Sequence, residues 1–259
     1  MKSILLIAGT ADARLLAGEL AAAGHRVVAS VATPLGAELM STSGAATVLT
    51  GRKDGPALGA VLRQLRPDCL VDASHPFAEA VSRHAIAACA EHEIRYLRFE
   101  RPRFAGEYAR LHRVADHQSA AAAAAQIVAA AGGRALLTVG SSQLEVYIRS
   151  FADPPRQLCA RVLPLSAVLS RCEELGLGPG RIIAAQGPFS ADLNLATIHH
   201  VDATVLVSKD SGEVGGLAAK VAACAQAGID LVLIERPVVA YPIEFADRGE
   251  LIKHLEGEA

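Results

Sequence analysis

Ile4-Leu5-Leu6-Ile7-Ala8-Gly9-Thr10-Ala11-Asp12-Ala13-Arg14 is the stretch whose reading decides the fold. The apolar run Ile4–Ala8 reads as a short strand covered on both faces. Gly9-Thr10-Ala11-Asp12 then forms a turn, and a helical stretch runs to Ala23. Gly24 sits where a glycine commonly follows a helix C-terminus. The same strand, loop and helix recur downstream. Val27–Val31, Thr47–Thr50, Cys69–Asp72 and Ile94–Phe99 read as strands. Asp54 is a candidate cap for a helix to about Leu65, and Phe77–His92 reads as a long helix opened by Pro76. Strands alternating with helices imply a parallel sheet with right-handed crossovers, and ligands gather where such strands end.

A second series follows. Asp116 or Ser119 caps an alanine-rich helix through Ala131, and Gly132-Gly133 breaks it. Strands are expected at Ala135–Thr138, Gln157–Val162, Ile182–Ala185, Ala203–Val207 and Leu231–Ile234. Helices are expected to about Ile148, over Ser166–Leu175 and over Val214–Ala227. The expected organisation is α/β with two Rossmann-like units: residues 1–132 on the cofactor side and 133–259 on the substrate or closure side.

Composition agrees. The 259 residues are 51% hydrophobic and 20% charged, with a formal net charge of −2. That charge gives no electrostatic footprint for nucleic acid, and 4% aromatics give no stacking platform. Mean hydropathy is +0.30, yet no apolar run reaches the roughly 18 residues of a membrane span. The apolar stretch after Met1-Lys2-Ser3 is too short for a signal peptide. The cysteines Cys69, Cys89, Cys159, Cys172 and Cys224 lack C-x-x-C spacing and read as reduced, buried thiols of a cytoplasmic protein.

Several loops could carry chemistry. The Gly9–Arg14 turn presents backbone N–H groups and a helix dipole to a phosphate, or is simply a turn capped by Thr10 or Asp12. No acid directly follows Val31, so a 2′-phosphate is permitted, and Ser30, Thr33 and Arg52 could contact it or a ribose. His75, after the fourth strand, could be a general acid, a hydrogen-bond donor or a helix-end ornament. Arg95, Arg98, Arg101 and Arg103 could serve a polyanion or be solvated charges. Ser208-Lys209-Asp210-Ser211-Gly212, with Lys220 beyond it, suggests anion binding; the alternative is a local Lys209–Asp210 ion pair. There is no P-loop, no G-x-S-x-G turn, no tyrosine with a lysine four residues later, and no metal-ligand spacing.

In order and spacing these loops resemble the precorrin-6A reductases of corrin biosynthesis, most closely the cobalt-precorrin-6A branch. The marks are Gly9–Arg14, Ser30-Val31-Ala32-Thr33-Pro34, Asp72-Ala73-Ser74-His75-Pro76-Phe77-Ala78-Glu79, Arg101-Pro102 and Leu137-Thr138-Val139-Gly140. Further marks are Ala160-Arg161-Val162-Leu163-Pro164, Gln186-Gly187-Pro188-Phe189-Ser190, Lys209–Gly212 and Arg236-Pro237. Ala8 replaces a glycine, and Val139 a threonine, that many relatives carry. The resemblance implies two Rossmann-like units that exchange a strand, and a CH–CH oxidoreductase that moves hydride from NADPH or NADH to one double bond of the macrocycle. Gly9, Thr10, Asp12, Arg14, Ser30, Thr33, Arg52 and His75 would hold the cofactor. Phe77, Arg101, Lys209, Ser211, Gly212 and Lys220 would hold the substrate. His75 and Lys209 are the catalytic candidates, and no metal is expected. The expected partners are the tetrapyrrole and neighbouring pathway enzymes, not nucleic acid or membrane. A non-catalytic nucleotide sensor and a nucleotide-sugar transferase are the competing readings.

Overall fold

The computed structural model describes residues 1–212 and 215–257; Val214, the expected helix start, lies outside them. The chain forms two compact units, residues 1–102 with 237 onward, and 103–236.

The first unit contains β1 (Ser3–Ile7), α1 (Ala11–Ala22), β2 (Arg26–Val31), α2 (Pro34–Met40), β3 (Thr47–Thr50), α3 (Gly55–Leu65), β4 (Cys69–Asp72), α4 (Glu79–Glu91) and β5 (Arg95–Phe99). The second opens with β6 (Leu111–Val114), α5 (His117–Ala131), β7 (Arg134–Leu137), α6 (Leu144–Ser150), α7 (Pro154–Gln157), β8 (Leu158–Val162) and α8 (Ser166–Glu174). It continues through β9 (Ile182–Ala184), α9 (Ala191–His200), β10 (Ala203–Lys209), α10 (Leu217–Ala227) and β11 (Asp230–Ile234). The chain then returns to the first unit with β12 (Glu244–Phe245) and α11 (Arg248–Glu256).

Both sheets have six strands, ordered β3-β2-β1-β4-β5-β12 and β9-β8-β7-β10-β11-β6, with every pairing parallel. Each therefore has the doubly wound order 3-2-1-4-5-6. Among the described residues, the sixth strand of each sheet is the one exchanged. β6 follows β5 in the chain but pairs with β11, and β12 follows the second unit but pairs with β5.

This corrects the expected boundary at Gly132. β6 and α5 belong to the second sheet, where α5 packs on β7, β10 and β11. The Gly132-Gly133 pair is the α5–β7 turn, with both residues at positive φ. A Cβ on Gly133 would stand 2.9 Å from the Asp202 carbonyl oxygen, so the pair marks a tight turn and not a linker.

Apolar strand residues alternate between two helix-covered layers. In the first unit, Ile4, Leu6, Val27, Val71 and Leu97 pack against Leu16 and Leu20 of α1 and against Leu251 and Leu255 of α11. Leu5, Val28, Leu70 and Tyr96 pack on the other face against Leu58, Leu62, Ala85 and Ala88. In the second unit, Leu136, Cys159, Leu206 and Leu231 pack on one face with Ile198, Ala223 and Cys224. All five cysteines are buried and free, and burial pushes the Cys69 thiol up to about 11. Among the described residues, no helix is long and apolar enough to cross a membrane.

Candidate functional site

The first sheet changes direction between β1 and β4, and the loops following its strands meet at that edge. After β1, Gly9 has φ +134°, and a Cβ built there would meet nothing within 4 Å. Its backbone therefore faces open space that a side chain would fill. Thr10 is the N-cap of α1: its Oγ1 accepts from the Ala13 N–H at 3.0 Å and donates to the Ala73 carbonyl at 3.2 Å. Those bonds join the loop after β1 to the loop after β4. Ser30 is the next-to-last residue of β2, and its carbonyl accepts from the Ala8 N–H at 2.8 Å. Thr33 caps α2 by accepting from the Gly36 N–H at 3.0 Å. Exposed Arg52 follows β3 beside these residues, since the Gly51 N–H donates to the Val31 carbonyl.

Asp12 and Arg101 form a partly buried ion pair. The sequence reading gave one to cofactor and the other to substrate, but the structure joins them. A small crevice is lined by Thr10, Asp12, Ala73, Ser74 and Arg101. Arg14 lines a different space, an open groove of about 700 Å³ along α1 with Leu15, Gly18, Leu39 and Ser43. Its guanidinium reaches the Thr10 carbonyl only at 3.5 Å.

The loop after β4 differs from expectation. Pro76 does not open the helix; it lies in a turn closed by the Ala78 N–H to the His75 carbonyl at 2.7 Å, and α4 begins at Glu79. His75 Nδ1 accepts from the Phe77 N–H at 3.2 Å, and the two rings lie 5.8 Å apart. Beneath this turn, Asp72 and Arg98 are wholly buried and joined at 3.0 Å. Arg98 also holds Glu100 at 2.6 Å. Arg98 is thus neither a solvated charge nor a ligand group, the two roles weighed for the arginine cluster. It ties β4 to β5 under the candidate site.

The second sheet reverses between β7 and β10. Thr138 Oγ1 donates to the Val207 carbonyl at 2.8 Å, as Thr10 bridges the first sheet. Lys209 ends β10, and burial lowers its ammonium pKa. Asp210 pairs with Arg236 at 3.7 Å and accepts from the Gly212 N–H at 3.2 Å. Asp210 thus has a salt-bridge partner far along the chain, where the sequence offered a local Lys209–Asp210 pair as the alternative to anion binding. Gly212 takes φ +68°, and Ser211 Oγ donates to the Gly215 carbonyl at 3.2 Å. Lys220 is buried on α10 and donates to Ser208 Oγ at 2.9 Å. The sequence reading missed Asn194 as a site group, and it carried Arg161 only inside a motif. Arg161 donates to Asn194 Oδ1 at 2.8 Å. An arginine inside an otherwise apolar buried strand was the available signal.

Two doubly wound parallel sheets, each with polar loops converging at its reversal point, define a two-unit Rossmann-like protein. The sequence profile of the family described as Precorrin-6x reductase CbiJ/CobK matches residues 3–256, and the chain belongs to that family of reductases. It is 39% identical to the cobalt-precorrin-6A reductase of Salmonella typhimurium, over 90% of this chain and 87% of that one. The cobalt-precorrin-6A reductase of Priestia megaterium is 36% identical over 97% of both chains. The solved structure of CobK precorrin-6A reductase superposes with a TM-score of 0.81 at 25% identity, covering 100% of this chain and 98% of that one.

Proposed function

We propose that the protein reduces cobalt-precorrin-6A in cobalamin biosynthesis, using NADPH in preference to NADH. The observation that carries the cofactor half of this reading is the open backbone at Gly9, ahead of the α1 N-terminus. A pyrophosphate needs that close backbone approach, and the helix dipole favours its charge. Asp12 would oppose the same charge, and its ion pair with Arg101 neutralises it. A bound reduced nicotinamide would supply hydride. The chain's own residues bind and orient: Gly9 and Thr10 at the pyrophosphate, Ser30 and Thr33 at the ribose, and Arg52 at a 2′-phosphate. His75 and Phe77 stand at the same sheet edge. Lys209, Ser211, Gly212 and Lys220 are proposed to bind substrate carboxylates. Hydride arrival puts negative charge into a conjugated ring whose nitrogens can delocalise it. Positioning and exclusion of water then form most of the protein's contribution.

An anaerobic assay with metal-free and cobalt-loaded substrate, each with NADPH and NADH, tests this. Turnover should be fastest with the cobalt-loaded ring and NADPH, and Arg52→Ala should raise KM for NADPH alone. Oxidation of neither cofactor would overturn the reading. A higher kcat/KM with NADH would overturn the cofactor assignment.

A further inference from the structure

On the face of the second sheet covered by α9 and α10, two positive charges are buried together. Arg161 on β8 is 6% exposed and Lys220 on α10 is 8% exposed. Arg161 is held by Asn194 Oδ1 at 2.8 Å and lies 4.0 Å from the centre of the Phe189 ring. Lys220 is held by Ser208 Oγ at 2.9 Å. These partners are all neutral. Among the described residues neither cation has a carboxylate partner, and buried Asp210 is engaged by Arg236. Charges taken out of water are normally paired, because desolvation penalises them heavily. The pair sits at the carboxyl edge of β8 and β10, with β7 between them, directly above the apolar layer of Leu136, Cys159 and Leu206. That is the reversal point where doubly wound sheets take ligands.

The structure assigns Arg161 and Lys220, steered by Asn194 and Ser208, to binding a carboxylate of the macrocyclic substrate. This rests on the reductase reading and adds Arg161 to it. The shared chemistry is an oxyanion, which a dinucleotide phosphate could also supply. A carboxylate fits better, because a guanidinium fork offers it two parallel hydrogen bonds, one edge being already fixed by Asn194. The charge state agrees. Burial, then Arg161 and Lys209, push the Lys220 ammonium down to about 7, with Cys224 as the opposing influence. Burial lowers Arg161 to about 10. An arriving carboxylate restores the Lys220 proton.

The test is to titrate wild type, Arg161→Gln and Lys220→Met, as full chains under anaerobic conditions, with cobalt-precorrin-6A and separately with reduced dinucleotide. Each variant should weaken macrocycle binding at least about tenfold and leave dinucleotide binding within about twofold. Calorimetry near pH 8, in buffers of different ionisation enthalpy, should show proton uptake when wild type binds the macrocycle and none for Lys220→Met. A packing role alone would not move that proton. If Arg161→Gln fails to fold, Arg161→Lys and the Lys220 arm decide. Unchanged macrocycle binding in folded variants, a loss on the dinucleotide arm instead, or proton uptake surviving in Lys220→Met would overturn the assignment. Wild type that never binds the macrocycle overturns the reductase reading itself; wild-type turnover with unaffected variants overturns only this site.

Discussion

At Asp72 the chain buries a full negative charge, and four donors converge on its two oxygens. Ser74 N–H and Arg98 Nη1 reach Oδ1 at 3.0 Å each, Ser82 Oγ reaches Oδ2 at 2.6 Å and Tyr96 Oη at 2.8 Å. The network lies under the turn that carries His75, so Asp72 positions that turn. Asp72→Asn keeps the volume but removes the charge and half the acceptor capacity. Urea unfolding should show a loss of about 3 kcal/mol, the range for breaking a buried ion pair. A second residue reports through pH. Burial first, then Lys209, push His117 down from 6.5 to about 4, with Asp116 opposing, and its Nδ1 lies 3.0 Å from Tyr147 Oη. The unfolded state therefore binds more protons between those values. Stability from this site is complete above pH 6.5 and falls away as pH drops toward 4. In urea midpoints measured across pH, His117→Gln should flatten that acid limb. A limb of unchanged steepness would show that His117 does not carry it. Residue by residue, the sequence revealed which loops hold polar groups but not which groups pair. Asp12–Arg101 and Asp72–Arg98 join residues far apart in the chain, and no local spacing encodes them.

Elements were legible where burial is two-sided. β1 and β11 are nearly continuous Ile, Leu and Val, and β2, β4, β8 and β10 are mostly apolar, because parallel strands are covered on both faces. α3 and α5 were legible from their caps: Asp54 Oδ1 accepts from the Ala57 N–H at 3.0 Å and Asp116 Oδ1 from the Ser119 N–H at 2.7 Å. β6 is an edge strand with His112 and Arg113 exposed, so its pattern is weak. β12 has two residues, and α11 buries only Leu251 and Leu255 along nine. α9 was hidden for another reason. Gly187-Pro188-Phe189-Ser190 reads in the sequence as a mark of the family resemblance, yet Ser190 is the cap of α9, its Oγ accepting from the Leu193 N–H at 3.2 Å. Ser190→Ala should therefore cost about 1 kcal/mol in thermal unfolding, the usual loss for a serine N-cap. Since α9 carries Asn194, the same change should weaken macrocycle binding through Arg161. Ser190→Asp, which keeps an acceptor at the cap, should restore stability. Equal stability of Ser190→Ala and wild type would remove the cap from the account.

Across the whole molecule, the exchanged sixth strands make the two units unequal in chain terms. Residues 103–236 are contiguous and contain their own edge strand β6, whereas the first unit is completed only by residues from 237 onward. Local patterning could suggest two sheets but not this exchange, because β6 and β12 carry too few apolar residues to reveal their partners. The completing segment brings more than an edge. Leu251 and Leu255 of α11 are wholly buried against the β1–β2 layer, and burying such a side chain contributes about 2 kcal/mol. Arg248 of α11 adds an ion pair to Glu19 of α1 at 3.0 Å. Tyr241 stacks on Tyr96 and lies 5.1 Å from the Arg98 guanidinium. A fragment of residues 103–236 should consequently unfold in one cooperative transition followed by circular dichroism. A fragment of residues 1–102 should lack such a transition and bind a hydrophobic dye, because it exposes the surface that α11 covers. Fusing residues 237–259 to its end through a flexible linker should restore cooperativity. A cooperative 1–102 fragment would mean that the returning segment decorates a unit already complete. A non-cooperative 103–236 fragment would mean that the second unit depends on the first for folding, despite owning a full set of six strands.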